Sequence, residues 1–374
     1  MARIYGFDPG SDEENSIKKE GNSMHLDNAT EFHQIDTENM LAEIDGLPQQ
    51  LAKAYSNSFQ YDLKNLKKPD TILVAGMGGS AIGADLLSAY CMPFCSVPII
   101  SLREYTLPEW ALKQNTLVIT SSHSGNTEET LSVFDMALQA GLPILAIATG
   151  GEISKRAKES NQAIWEFEHH GQPRAAVGFS FGILLALLER LDLIPSQNQI
   201  MAQAIEEIEK KQKNYKAGIP IVKNPVKRVA GQAVGRLVSV FGSDHLAPVA
   251  RRWKTQINEL AKAWAQFEFL PEADHNTLAG LENDENILTK TMALFLKGSQ
   301  IHPRNILRIE LTKQEMMVAG LAVDSVEFKG SSRLAEMWDA ILFGDYFAYY
   351  LALAYDADPT PIEALSNLKR NMKK

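Results

Sequence analysis

The sequence predicts an α/β protein made of two subdomains, each a parallel sheet flanked by helices, and three observations carry that expectation. Short apolar, β-branched runs end in Gly/Ser-rich turns and pass into helical segments, at intervals of roughly 20 to 45 residues through the first half. The order strand, Gly-Ser turn, helix starts again at Leu237, a faint internal repeat. At 374 residues the chain is also longer than one ordinary hydrophobic core supports.

Taken in order, the first residues, MARIYGFDPGSDEENSIKKEGN, are polar and lack the apolar core of a secretory signal, so residues 1–28 are expected to be a mobile extension. From Ala29 to Phe59, Met40, Leu41, Ile44, Leu47 and Leu51 recur at helix spacing, with Pro48 interrupting. Thr71–Ala75 reads as a strand that enters Gly76-Met77-Gly78-Gly79-Ser80 and a helix through Tyr90. Val97–Ile100, Leu117–Ile119 and Pro143–Ala148 are the next strands, with a helix from Glu128 to Ala140 before the last of them. An apolar helix, Phe179–Leu191, closes a first subdomain spanning 29–195. Asn198–Tyr215 is charged and poor in large apolar groups, so 196–225 is expected to link the two units. The second subdomain, 226–374, opens with strand Leu237–Ser243 and a helical run from Pro248 to Gln266. Ile306–Leu311 and Ser325–Phe328 supply further strands, and Leu334–Ala354 a long apolar helix.

Composition excludes several classes. Net charge is −9 with both signs mixed along the chain, unlike the clustered basic face that nucleic acid requires. The longest apolar stretch, Tyr346–Tyr355, falls short of the ~20 residues of a membrane span. Cys91 and Cys95 lack companion ligands at metal spacing and suit two free thiols in a reducing cytoplasm. No metal and no cofactor is expected.

The stretch Thr116–Leu131, TLVITSSHSGNTEETL, holds the strongest chemical signal. A strand empties into Ser121, Ser122, His123, Ser124, Gly125, Asn126 and Thr127, and then into a helix whose first turn carries Glu128 and Glu129. Hydroxyls, free backbone N–H groups and the positive helix end converge there, which suits a phosphate; a Ser-rich capped turn has the same residue types. Gly76-x-Gly78 also resembles a dinucleotide fingerprint, but no acidic residue closes the following strand to hold a ribose, and Gly79-Ser80 brings in a hydroxyl. Glycines that let the backbone approach one phosphoester or sugar ring fit better.

Together the 76–80 and 122–127 turns resemble the sugar isomerase (SIS) domain, so the two subdomains are expected to be of SIS type. In that family the second turn holds a sugar phosphate; Ser122, Ser124 and Thr127 match its hydroxyls and Ser80 the serine of the first turn, with Gly78 and Gly79 lining the substrate. Downstream, Asn258-Glu259-Leu260-Ala261-Lys262, Pro271-Glu272-Ala273-Asp274-His275-Asn276, Asp358-Pro359-Thr360-Pro361-Ile362-Glu363, Lys369 and Pro173-Arg174 follow the order seen in bifunctional phosphoglucose/phosphomannose isomerases, a resemblance covering about residues 40 to 374. It implies a cofactor-free aldose–ketose isomerase of a phosphorylated hexose, a homodimer whose site is shared between subunits. His123 stands where many loops of the family carry Tyr, and is expected to line the turn.

The chemistry asks for the same residue types. Moving a proton between C1 and C2 through a cis-enediol needs one carboxylate, for which Glu259 is the candidate. The developing enediolate needs a fixed cation, which suits Arg174. Opening the sugar ring needs a group that titrates near neutrality, which suits His275, with Lys369 as a second participant. Thr360 is the candidate for shaping space near C1–C2. The alternative from another class is a sugar-phosphate-binding regulatory protein without catalysis. Regulators of that kind carry a basic DNA-reading helix, and Met1–Asp70 shows none. A glucosamine-6-phosphate synthase would carry an additional amidotransferase domain, which the start Met1-Ala2-Arg3 does not suggest.

Overall fold

The computed structural model describes residues 26–64, 66–283 and 285–372, so the expectation for the N-terminal extension lies outside the described residues up to position 25. Leu26 is already packed into the core. The helical stretch after it is divided into a 3-10 turn, Ala29–Gln34, then α1 (Met40–Asp45) and α2 (Leu47–Asn57). Asp36 starts α1 by accepting from the Met40 and Leu41 N–H groups at 2.7 and 3.0 Å. Pro48 stands in the first turn of α2, where its missing N–H costs nothing.

The first sheet contains β1 (Thr71–Ala75), β2 (Ile99–Leu102), β3 (Thr116–Ser121), β4 (Ile144–Ala148) and β5 (Ala163–Glu166). All pairings are parallel and the spatial order is β2-β1-β3-β4-β5. α3 (Gly78–Cys91), α4 (Glu128–Gln139) and α5 (Gly151–Glu159) make the crossovers. β1, β3 and β4 are buried along their whole length, as central strands of a two-sided sheet must be. α6 (Val177–Arg190) packs on α2 and α3. α7 (Asn198–Gln212) packs on both α2 and a long helix of the second half. The strand expected over 97–100 lies two residues later, because Pro98 offers the ladder only its carbonyl, to Ile72 N.

α8 (Pro225–Ala233), capped by the Asn224 side chain, leads into the second sheet. There β6 (Leu237–Ser243), β7 (Ala265–Leu270), β8 (Thr291–Gly298) and β9 (Ala322–Phe328) run parallel in the order β7-β6-β8-β9. The helices are α9 (Ala247–Leu260), α10 (Glu285–Leu288), α11 (Pro303–Val318), α12 (Arg333–Ala354) and α13 (Glu363–Met372). Two expectations are corrected. The helix expected over Pro248–Gln266 stops at Leu260, and 265–270 is strand β7. The strand expected over Ile306–Leu311 lies inside α11, which buries Ile309, Thr312 and Met316 at helical spacing.

In both sheets the first strand in sequence sits inside, the second outside it and the third on its other flank, so β1, β2, β3 and β4 correspond to β6, β7, β8 and β9. The turns after β1 and β3 therefore correspond to those after β6 and β8. In the second half that junction is filled from within. Glu336, fully buried in the first turn of α12, accepts from Ser299 N at 2.8 Å, Ser299 Oγ and Gln300 N at 3.1 Å, and pairs with His245 Nε2 at 3.2 Å.

α9 and α12 form the backbone of the second half. Gly344 lets them approach, since a Cβ there would stand 2.2 Å from Trp253 Nε1. That indole N–H donates to Ala340 O at 2.8 Å. Buried Arg252 pairs with Asp345 at 2.6 Å, and Gln256 donates to the same carboxylate at 3.0 Å. These contacts set the register of α9 against α12, and removing one partner of such a buried pair costs roughly 3–5 kcal/mol because the other charge is left uncompensated.

Candidate active site

Three backbone turns meet at the carboxyl ends of the central strands of the first sheet. The turn after β1 lies against the end of β3: a Cβ on Gly76 would stand 2.8 Å from Ser121 O. It also lies against the Pro173–Ala175 turn, since a Cβ on Gly79 would stand 2.7 Å from Pro173 O. Ser80 is therefore near both the 122–127 turn and Arg174; the residue is buried, with Gly78 at φ +50° ahead of it.

The 122–127 turn is shaped by Gly125 (φ +68°), where a Cβ would fall 1.9 Å from Gly150 O. Ile153 N donates to Gly125 O at 2.9 Å and Glu152 N to Asn126 Oδ1 at 3.0 Å, which clamps the turn onto the start of α5. Thr127 occupies the N-cap position of α4 but makes no capping bond; its hydroxyl meets Ser122 Oγ at 2.8 Å instead. The first N–H groups of α4 therefore carry no side-chain cap, the arrangement that receives an anion. Ser124 is exposed, and its Oγ accepts from Asn126 N at 3.3 Å.

Arg174 is 7 % exposed and lies between the two halves of the fold. Nη2 donates to the Pro359 carbonyl at 2.9 Å and to that of Thr360; Nη1 reaches Gln172 Oε1 at 3.4 Å. Arg252 Nη2 donates to the Arg174 carbonyl at 3.2 Å, so α9 holds the backbone of this turn. Near the end of α9, Glu259 Oε2 stands 4.0 Å from Arg174 Nη1. Burial pushes the Glu259 carboxyl above its ordinary range, and outweighs the opposing pull of Arg174, Arg252, Lys262 and Lys254. Thr360 is buried, its N–H bonded to Asp358 Oδ1 at 2.9 Å and its Oγ1 without a protein partner.

Glu259, Arg174, Thr360 and the 76–80 and 122–127 turns are thus drawn to one region. His275 and Lys369 are not. His275 is exposed on the short turn after β7, and Lys369 lies on α13, which buries none of its residues. Sequence reasoning left out Lys262, although it was part of the Asn258–Lys262 segment. At φ +54°, its Nζ donates to Glu259 O at 2.6 Å. Burial first, then Arg174, lowers its pKa to about 8. Gln172, Arg252 and Glu43 were also missed; Glu43 is connected to the site only by tertiary contact.

Residues 222–372 match the family described as the bacterial phospho-glucose isomerase C-terminal SIS domain. A bifunctional phosphoglucose/phosphomannose isomerase of Caldicellulosiruptor bescii is 35 % identical over 336 residues, 89 % of this chain and 98 % of that protein. One of Aquifex aeolicus is 31 % identical over 327 residues, 87 % of this chain and 98 % of that protein. Among solved structures, that of a hypothetical protein from Thermus thermophilus shares the fold, with a TM-score of 0.70 at 15 % identity, covering 93 % of this chain and 94 % of the other. With these identities over 98 % of both relatives, this chain belongs to the family of bifunctional phosphoglucose/phosphomannose isomerases.

Proposed function

We propose that the protein interconverts glucose 6-phosphate and mannose 6-phosphate with fructose 6-phosphate through a cis-enediol. The observation that carries this is the Glu259–Arg174 pair, a carboxylate and a guanidinium 4.0 Å apart beside a hydroxyl-rich turn at an uncapped helix start. Ser80, Ser122, Ser124 and Thr127 hold the phosphate, and Gly78 and Gly79 let the backbone approach the sugar. The phosphate does not react; its binding is spent on orientation. Glu259 takes the proton from one of C1 and C2 and returns it to the other. A carboxyl whose pKa is raised by burial is a stronger base than an exposed one, which suits a weakly acidic C–H. Arg174 stabilises the enediolate oxygen, and being tied to the Pro359 and Thr360 carbonyls it needs little reorganisation. Thr360 shapes the space at C2 so that both epimers are handled.

His275 opens the sugar ring from a second copy of the chain, with Lys369 assisting. Two features support a homodimer: His275 is exposed in the single chain, and α13 presents Leu365, Leu368 and Met372 to solvent at helical spacing. The domain division at 29–195, 196–225 and 226–374 belongs to the same proposal, as does a cytoplasmic location. No helix among the described residues is long and apolar enough to cross a membrane. A non-catalytic phosphosugar sensor would have no use for a desolvated carboxylate beside Arg174. The test is a coupled assay of fructose 6-phosphate formation from each aldose, without added metal or nucleotide. Activity with both is expected; binding of the sugars without turnover would favour the sensor.

A further inference from the structure

His123, in the middle of the phosphate turn, does not point to solvent alone. Its Nε2 meets Nδ1 of His169 at 2.8 Å, and Nε2 of His169 lies 3.6 Å from Glu43 Oε2. Both oxygens of Glu43 accept from Gln172 N, at 3.1 and 3.2 Å, two residues before Arg174. The approach is close enough that a Cβ on Gly171 would stand 2.3 Å from the carboxylate. Gln172 Oε1 then accepts from Arg174 Nη1, which faces Glu259. A chain of polar contacts therefore runs from the phosphate turn to the base and its cation.

We infer that Glu43, His169 and His123 are positioning residues that lock the phosphate turn to the Arg174 turn, so that a bound phosphate fixes the orientation of Arg174 over the reacting carbons. This rests on the isomerase function proposed above. At 2.8 Å, one of His123 Nε2 and His169 Nδ1 donates to the other, and a carboxylate, which only accepts, favours a hydrogen on the His169 nitrogen that faces Glu43. Burial and the neighbouring His169 lower the His123 pKa to about 4, which keeps its ring neutral. Phe167 and Phe179, stacked at 4.7 Å, pack against both imidazoles and hold their planes. Burial lowers the Arg174 pKa, and Glu259 and then Glu43 oppose that shift. Packing alone would be served by apolar side chains; a succession of polar contacts ending at Arg174 would not.

The test compares Glu43→Gln, His169→Ala, His169→Gln and His123→Ala with wild type. Steady-state kinetics and calorimetric binding of fructose 6-phosphate to Glu259→Gln backgrounds are both recorded. Glu43→Gln and His169→Ala are expected to lower kcat about tenfold with KM changed less than about threefold. His169→Gln, which can still donate and accept, should recover much of that loss. Glu43→Gln combined with His123→Ala should cost less than the product of the single effects. The inference is overturned if Glu43→Gln and His169→Ala keep kcat within twofold, if the two effects multiply, or if losses follow the folded fraction in thermal melts. Should wild type bind but not turn over the sugars, the isomerase function fails on its own. The coupling is then read from the binding constants, and additive losses there would overturn it too.

Discussion

Replacing Glu259 by Gln isolates the proton transfer from everything else in the site. The side chain keeps its shape, and its nearest cation, Arg174 Nη1, lies at 4.0 Å, beyond hydrogen-bond distance, so no direct bond is broken. What goes is a negative charge and a base. At an effective dielectric of ~20, two unit charges 4 Å apart attract by about 4 kcal/mol. The upward pKa of Glu259 shows that burial nevertheless costs the charged form more than its cations return. A positioned general base contributes roughly 10²- to 10⁴-fold, or about 2.7–5.5 kcal/mol of barrier. Because Glu259 is the only base proposed for both half-reactions, kcat should fall by at least ~10³-fold while KM stays within about threefold. Turnover is followed by the coupled assay, and proton abstraction separately by deuterium entering C2 from heavy water, read by NMR. Retention of more than a tenth of wild-type kcat, or of the exchange, would refute the assignment. Stability should move the other way. A folded-state pKa above the unfolded value gives stability that is present at low pH and lost as pH rises through the folded value. Glu259→Gln should therefore melt at a higher temperature than wild type near pH 7, with the gap closing toward pH 4.

Four further outcomes follow. Ser122→Ala and Thr127→Ala should each raise KM about tenfold or more, the worth of a hydrogen bond to a charged group, with smaller effects on kcat. Gly125→Ala should abolish phosphosugar binding in calorimetry, since its Cβ would collide with Gly150 O at 1.9 Å and φ is +68°. The pH profile of kcat/KM should fall on the acid side as Glu259 protonates, above the ordinary carboxylate range. It should fall on the alkaline side near pH 8 as Lys262 loses its charge, and Lys262→Arg should move that limb upward. Calorimetry should find one phosphosugar per chain; two would contradict the account of the second half.

The central strands of the first sheet were legible because such parallel strands carry continuous apolar runs, and Thr71–Ala75 and Thr116–Ser121 are both buried throughout. The end of α9 was not. No Gly or Pro stands between Leu260 and Ala265, and the chain turns at Lys262, a non-glycine residue at φ +54° steadied by Asn258 Nδ2 bonding Ala263 O. Without punctuation, the helical reading ran on through Ala265 and Gln266, and the alternating Phe267 and Phe269 of β7 were not assigned to a strand. β8 and β5 escaped notice altogether, though Thr291–Leu296 is a continuous buried run. In the site, the hydroxyl turn and the Asn258–Lys262 segment were visible as local patterns. Glu43 was not, because it meets Gln172 across 129 positions of the chain, and Gln172 and Arg252 lie close in sequence to Arg174 and Glu259 but no local pattern marks what their side chains touch.

The carboxylate of Glu336 gives the duplicated halves different destinies. Its oxygens already satisfy Ser299, Gln300 and His245 at the junction that matches the phosphate turn of the first half. A second dianion brought there would meet a resident negative charge rather than free donors. One half is thereby self-sealed, and in the proposed mechanism its remaining task is mechanical: to carry Glu259 on a braced helix toward a sugar held by its sibling.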